Sequence, residues 1–151
     1  MKIMKRLLFL LVGLLVVALL LALLMLKDRN RPLTVHELPV AAQEFLSRHC
    51  PDSEIAYATV ETEWFSKEYK VVFVDGSKVE FDRHGAWTEI EYKYGRVPDE
   101  MIPEPIHARL AELYGEYEVI EIERDRREYE VKLANRLEVT FDREFRIIDI
   151  D

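Results

Sequence analysis

The chain has few of the residues on which catalytic and metal sites usually depend. Its 151 residues include one cysteine, five glycines and four histidines. Cys50 alone cannot form an intramolecular disulfide; a small apolar residue at a helix end is its simplest interpretation, and a reactive or intermolecular thiol is the alternative. The histidines, at positions 36, 49, 84 and 107, form no HxxxH pair and stand in no zinc-ligand spacing.

Motifs for phosphate binding and nucleophilic catalysis are also missing. No glycines cluster into a phosphate loop, and there is no Gly-x-Ser-x-Gly. His49 and Cys50 are neighbours, but adjacent helical side chains point about 100° apart, so they do not form a dyad. Asp82 and His84 share a turn and could hold a metal weakly, although a solvated turn is simpler. We therefore predict that the protein is not an enzyme and holds no metal or cofactor.

Positive charge is scarce beyond the first residues. Residues 1–31 carry six Lys/Arg and one Asp, a net of +5, so the remaining 120 residues carry −13 of the total of −8. An acidic domain without a basic stripe is a poor candidate for binding nucleic acid. The charge suits solubility or a basic partner.

An uninterrupted apolar run follows the basic start of the chain, from Leu7 to Leu26. Twenty residues at helical rise span about 30 Å, enough to cross a bilayer core. Residues 1–27 are therefore predicted to be a signal peptide or a signal-anchor transmembrane helix; the length of the run and the lack of a small-x-small pair at its end disfavour clean cleavage. The short N-terminal tail favours export. This predicts a periplasmic domain, anchored in the inner membrane through the N-terminal helix or released after cleavage.

After a polar linker at 28–33, the pattern predicts one helix and four strands, twice. The first helix spans 34–50 and opens with a capping box, Thr34-x-x-Glu37. The second opens at Ile102-Pro103 and ends at Gly115. A period of two predicts strands at 54–61, 69–74, 78–81 and 86–94, then around 117–124, 128–134, 137–141 and 146–150.

The hairpin at Glu68–Asp82, EYKVVFVDGSKVEFD, returns sixty positions later at Glu128–Asp142 as EYEVKLANRLEVTFD. The letters common to both copies point inward by alternation, so the repeat encodes a core. It predicts an α+β fold for residues 34–151, made of two tandem α-β-β-β-β repeats at 34–95 and 101–151. The antiparallel sheet is predicted to have helices on one face and to be open on the other.

The tracts NRPLTVHELPVAAQEFLSRHCPDSEIAYATVE and YKVVFVDGSKVEFDRHGAWTEIE, with the Ile-Pro start of the second helix, resemble the PepSY-like proteins grouped with the beta-lactamase-inhibitory-protein (BLIP-like) fold. The resemblance covers about residues 31–151. It implies tandem α-β4 units, an exported location and, by analogy, a protein-binding or inhibitory role. The chain departs from the pattern in its anchor-like leader and in Asn135-Arg136, which replaces the Asp75-Gly76 turn.

Alternation places aromatic and charged residues together on the open face, a composition typical of protein interfaces. The face is predicted to hold Tyr57, Thr59, Glu61, Lys70, Val72, Trp87, Glu89, Tyr117, Val119, Glu121, Lys132, Thr140 and Ile147. Of these, the predicted binding residues are Tyr57, Glu61, Lys70, Trp87, Glu89, Tyr117, Glu121 and Lys132. Alternatively, Trp87 and Val72 cover one another or tuck under a loop at 61–67.

The sequence thus predicts a non-enzymatic binding module of the bacterial envelope that engages a protein or peptide through the open face. The alternative is an envelope sensor or accessory domain that binds a small ligand or metal.

Overall fold

The structure is a computed structural model that describes residues 12–19, 30–63 and 66–151. The helices of the domain are a 3-10 turn at Val35–Glu37, α1 at Val40–His49, a 3-10 turn at Asp99–Met101 and α2 at Glu104–Tyr114. The strands are β1 Asn30–Leu33, β2 Ile55–Glu63, β3 Ser66–Phe73, β4 Lys78–Phe81, β5 Trp87–Glu91, β6 Val119–Arg124, β7 Glu128–Leu133, β8 Glu138–Asp142 and β9 Ile147–Ile150.

The predicted signal or membrane segment at 1–27 lies mostly outside the described residues. Residues 12–19 are helical and exposed. Within the three described ranges, no helix is long and apolar enough to cross a bilayer.

All nine strands form one antiparallel sheet whose order follows the sequence from β1 to β9. The α+β class and the eight predicted strands are confirmed. A ninth, β1, lies within the span predicted as a linker and pairs with β2, with Arg31 opposite Val60. Its sequence resembles a linker because it is short, polar and contains Pro32, which a sheet tolerates at an edge.

One core contains the inward residues of the strands together with residues of both helices. The fully buried side chains come from the strands and from both helices. They include Phe81, Ile90, Ile122 and Phe141 of the sheet, Ala42 of α1, and Ile106 and Leu110 of α2. Phe45 of α1 packs edge-on against the Phe81 ring, with centroids 5.6 Å apart. The period-two pattern of apolar residues therefore places the core as predicted.

The first predicted helix, 34–50, is divided at Pro39. The capping box is present, since the Thr34 amide donates to Glu37 Oε2 at 2.7 Å. However, Leu38 and Pro39 have extended ψ values of 154° and 145°, so the 3-10 turn ends before α1 begins. Gln43 Nε2 donates to the Leu38 carbonyl at 2.8 Å and thus satisfies the backbone at this break.

Gly85 allows α1 to approach the turn between β4 and β5. Its φ is +84°, and a Cβ at this position would lie 2.8 Å from the Ala42 amide nitrogen and 2.9 Å from Pro39 Cβ. No side chain fits that space. The glycine therefore fixes how closely the helix lies to the β4–β5 turn.

The placement of Val119 on the open face is wrong. Val119 is 2% exposed and belongs to the core. A bulge between Val119 and Glu121 in the pairing of β6 with β7 shifts the alternation by one residue. Alternation counted along the sequence cannot show such a shift.

Candidate functional site

The open face of the first four-strand set is organised around Lys78. Its Nζ lies 2.8 Å from Glu89 Oε1 and 3.0 Å from Glu91 Oε2 on the neighbouring strand. Partial burial by itself lowers the pKa of Lys78, but hydrogen bonds to Glu89 and Glu91 and their charges outweigh it and raise the pKa above its usual range. Lys70 Nζ pairs with Glu80 Oε1 at 2.7 Å on the other side.

A second pair stands on the adjoining strands. Lys132 Nζ donates to Glu121 Oε2 at 3.0 Å, and this hydrogen bond raises the pKa of Lys132. Glu121 lies opposite Glu91 across the β5–β6 seam. Ion pairs and cross-strand neighbours thereby connect four of the predicted binding residues into one surface. These four are Lys70, Glu89, Glu121 and Lys132, and the residues between them are Lys78, Glu80 and Glu91.

Carboxylates outnumber ammonium groups on this surface. Glu123 lies opposite Glu89 across the seam and opposite Glu130 on β7. Partial burial raises the pKa of Glu123, and the charges of Glu89 and Glu121 raise it further. Partial burial also raises the pKa of Glu130, with the Glu138 charge adding to it. We call Glu89, Glu121, Glu123, Glu130 and Glu138 the acidic patch.

Trp87 is covered on one side by Arg124. The guanidinium carbon lies 4.1 Å from the indole centroid, and Arg124 Nε donates to the Trp87 carbonyl at 2.6 Å. Trp87 also packs against the core. Trp87 is therefore partly covered, as in the alternative interpretation. The side chain that covers it is Arg124 and not Val72, which stands opposite Tyr57.

A groove of about 700 Å³ begins beside this indole. It is lined by charges of both signs, among them Glu123, Arg124, Arg126 and Arg143. The groove therefore combines an aromatic side chain with charged side chains of both signs.

Tyr57 and Glu61 lie at the β2 end of the open face. Tyr57 is 54% exposed and stands opposite Val72. Glu61 stands opposite Glu68 on β3. Tyr57 is therefore an uncovered aromatic residue beside the charged centre of the surface.

Tyr117 is not part of the open face, contrary to its predicted position. Its hydroxyl donates to the His107 carbonyl of α2 at 3.0 Å, and the two rings meet edge-on at 5.9 Å. Tyr117 precedes β6, beyond the bulge that shifts the alternation. It lines a separate groove of about 720 Å³ between the end of α2 and the β6–β7 strands.

The predicted binding set lacked six residues that take part in the ion pairs or the acidic patch of this surface: Lys78, Glu80, Glu91, Glu123, Glu130 and Glu138. Alternation along each strand predicts which side of the sheet these residues occupy. Which charges they lie opposite depends on the register between strands. Only pairing β5 with β6 shows that Glu89 meets Glu123 and Glu91 meets Glu121. A sequence does not fix which strands are neighbours or in what register.

Asp82 and His84 share the turn between β4 and β5, and Asp82 is engaged in holding it. Asp82 Oδ1 accepts the amides of His84 and Ala86, at 2.8 and 3.0 Å, and so holds the turn. Arg83 Nε donates to His84 Nε2 at 2.9 Å. Across the described residues, no group of three or more His, Cys, Asp or Glu side chains could hold a metal ion.

The family provisionally described as beta-lactamase-inhibitor-like and PepSY-like matches residues 67–149. The chain belongs to this PepSY-like family. The match covers β3 to β9 and therefore includes the acidic patch and both ion-pair groups of the open face.

Crystal structures of Bacteroides proteins share the fold of this PepSY-like chain. A periplasmic protein of the DUF2874 family from Bacteroides vulgatus, so described provisionally, is 45% identical, with a TM-score of 0.80 over 83% of this chain and 98% of its own. A protein from Bacteroides thetaiotaomicron, provisionally described as calcium-regulated and periplasmic, is 43% identical, with a TM-score of 0.79 over 82% and 98%. Another Bacteroides vulgatus protein, provisionally described as periplasmic and of unknown function, is 34% identical, with a TM-score of 0.76 over 81% and 98%. The comparison with curated proteins finds no match.

Proposed function

We propose that this PepSY-like chain is a non-enzymatic binding module of the bacterial periplasm that engages a basic protein or peptide through its open sheet face. The acidic patch carries the proposal. Glu123 and Glu130 lie on the antiparallel sheet among other carboxylates, and partial burial first and then the neighbouring negative charges raise the pKa of each. Cationic side chains of a partner would relieve that repulsion.

The surroundings of the patch support a protein partner. Tyr57 is an exposed aromatic residue on the same face, and the Trp87–Arg124 pair borders the adjoining groove. Aromatic and arginine side chains are the commonest anchors of protein interfaces. An inhibitory role is one form that such binding could take, as the description of the family implies.

We also propose that the domain consists of two tandem α-β4 units with both helices on the core side of the sheet. Corresponding pairs support this: Tyr69 opposes Phe81 as Tyr129 opposes Phe141. Bulges follow Glu80 and Thr140, sixty positions apart. Asp75 and Asn135 accept the amide two residues on, in each case through Oδ1.

For the leader, we propose that residues 1–27 direct the domain to the periplasm, where it stays anchored or is released. The provisional periplasmic descriptions of the three similar proteins support this location. Intact-mass measurement of the protein from membrane and soluble fractions distinguishes the anchored from the cleaved form.

The experiment for the binding role is photo-crosslinking in the native envelope, with the photoreactive residue introduced at Tyr57. The test variant is Glu123→Lys with Glu130→Lys, which reverses two patch charges that take part in no ion pair among the described residues. The control is Glu104→Lys with Glu116→Lys, which makes the same change in net charge at exposed positions off the sheet.

We expect a crosslinked partner that the test variant loses and the control retains. Equal loss in both variants would indicate non-specific attraction to net charge. Retention in both would show that the acidic patch does not bind the partner.

The second candidate is an envelope sensor or accessory domain that binds a small ligand or metal. It is favoured by the provisional description of the Bacteroides thetaiotaomicron protein as calcium-regulated. The test is thermal unfolding with Ca²⁺ and a panel of other divalent ions, for the natural chain and for His84→Ala. A stabilisation that His84→Ala weakens supports this function, and no shift with any ion opposes it.

A further inference from the structure

The two edges of the sheet differ in whether another strand can add to them. At one edge, β1 contains Pro32, which has no amide hydrogen to donate to a further strand. Proline on an edge strand is a common protection against unwanted pairing. At the other edge, β9 has no proline, and among the described strands it pairs only with β8.

The side chains of β9 leave apolar surface at its edge. Ile148 is 55% exposed and Ile150 is 48% exposed. Ile150 stands opposite the buried Val139, so it lies on the core side of the sheet. The pairing of β9 with β8 shifts by one residue between Asp149 and Ile147, and beyond this bulge Ile147 stands opposite the buried Phe141 and packs against the core. Ile147 and Ile150 therefore continue the core to the edge of the sheet.

The backbone of Ile150 is also open. Asp151 and Glu138 exchange both backbone hydrogen bonds, with N–O distances of 3.0 and 2.9 Å. In an antiparallel ladder the residue next to such a pair points its own amide and carbonyl the other way. The N–H and C=O of Ile150 therefore point away from β8, beside an exposed apolar side chain.

The opposite side of this edge is acidic. Asp149 stands opposite Thr140 on the open face, and Asp151 lies beside Glu138. A second copy of the chain paired through β9 would bring these carboxylates against their own equivalents. Like charges facing one another across strands are destabilising, so the charges favour a basic occupant over a second copy.

We propose that β9 accepts an extended segment of a partner as a tenth, antiparallel strand, and that this segment alternates apolar and basic residues. Its apolar side chains would pack against Ile147 and Ile150, and its basic side chains would face Asp149 and Asp151. Its backbone would pair with Ile150. This mode of binding is strand addition. It uses the β9 edge and not the acidic patch, so the two proposals can be tested independently.

The probe is a fluorescein-labelled Lys-Ile-Lys-Val-Lys-Ile peptide, acetylated and amidated at its ends. The control peptide has the same side chains but is N-methylated at every residue, so it keeps the charge and loses all backbone donors. Fluorescence anisotropy gives both affinities, and amide hydrogen exchange by NMR follows Ile150. The protein variants are Ile150→Pro, which removes the outward amide donor together with the apolar side chain, and Asp149→Lys.

We expect the N-methylated peptide to bind about tenfold more weakly or worse, since all its backbone donors are lost. Ile150→Pro should weaken binding by about tenfold, since one backbone hydrogen bond and one apolar contact are lost. The Ile150 amide should exchange at least about tenfold more slowly with the unmodified peptide bound. Asp149→Lys should also weaken binding. Glu123→Lys with Glu130→Lys should change it by less than about twofold, which separates the edge from the acidic patch.

Three results would overturn the proposal. One is no binding of the unmodified peptide. Another is equal binding of the N-methylated peptide, which would mean attraction by charge alone. The third is sedimentation showing a dimer that Ile150→Pro dissociates, which would assign the edge to a second copy of the chain.

Discussion

The guanidinium carbon of Arg124 on β6 lies 4.1 Å from the indole centroid of Trp87 on β5, and Arg124 Nε donates to the carbonyl of the same residue. One side chain thereby bridges the strands at which the two halves of the sheet meet. Arg124→Ala should lower the free energy of unfolding by about 1–2 kcal/mol, because a cation–π contact and a charge-assisted hydrogen bond are both lost.

Urea denaturation measures this loss, and Arg126→Ala, at an exposed neighbouring arginine, is the control. Trp87 fluorescence should shift in the first variant alone. If both variants were equally stable, the stacking would contribute nothing to the fold.

Glu123→Gln should stabilise the domain at neutral pH. The pKa of Glu123 is raised, first by partial burial and then by Glu89 and Glu121. A carboxyl whose pKa is higher in the folded than in the unfolded state lowers stability as pH rises from the unfolded to the folded value. We expect a gain of about 0.5 kcal/mol at pH 7 that disappears below the unfolded pKa of about 4.3.

Thermal unfolding at pH 7 and at pH 3.5 checks this prediction. Glu116→Gln, which removes an exposed carboxylate away from the patch, is the control. A gain for Glu123→Gln that persisted at pH 3.5 would exclude charge repulsion as its cause.

Gly85→Ala should destabilise the domain more than Gly95→Ala. Both glycines have positive φ, +84° and +85°, so both variants incur backbone strain of about 1–2 kcal/mol. Only at Gly85 would the new Cβ meet atoms of α1, whereas nothing lies within 4 Å of a Cβ at Gly95. The difference between the two unfolding free energies, expected to exceed about 1 kcal/mol, measures the helix contact. Equal losses would contradict the close approach of α1.

Cys50 should resist alkylation in the folded protein. It is 8% exposed, and burial raises its pKa to about 11. At pH 8 only about one thiol in a thousand is then ionised, and the thiolate is the reactive form. Mass spectrometry after iodoacetamide treatment should show no adduct in buffer and one adduct in urea. Rapid modification in buffer would instead support the reactive-thiol alternative.

Local patterns predicted most of this fold. The period-two alternation located eight strands, and Asp75-Gly76 marked a hairpin, because side-chain direction and turn geometry depend on a few consecutive residues. The first helix shows the limit: its Thr34 capping box was recognised, but the break at Pro39 between the 3-10 turn and α1 was not. Edge strand β1 was not predicted, because four residues, one of them a proline, are too few to show the alternation of a strand.

The candidate site was harder to predict, because it depends on register between distant strands. Some charged residues of the face, such as Lys70 and Glu89, were predicted individually. The ion pairs of Lys78 and the position of Glu123 opposite Glu89 could be seen only once the strands were paired. Bulges are the second obstacle. One extra residue near Val119 moved that side chain into the core, and Tyr117, which precedes it, lies against α2.

Because each strand pairs only with its neighbours in sequence, β1 and β9 lie at opposite edges of the sheet. A force applied between these edges would act along the interstrand hydrogen bonds, so the strands would separate by unzipping and not by sliding. The β5–β6 seam is held by three residue pairs, two of which place Glu opposite Glu. The like-charged pairs would lower the force needed to separate β5 from β6, and the contact of Arg124 with Trp87 across the seam would raise it.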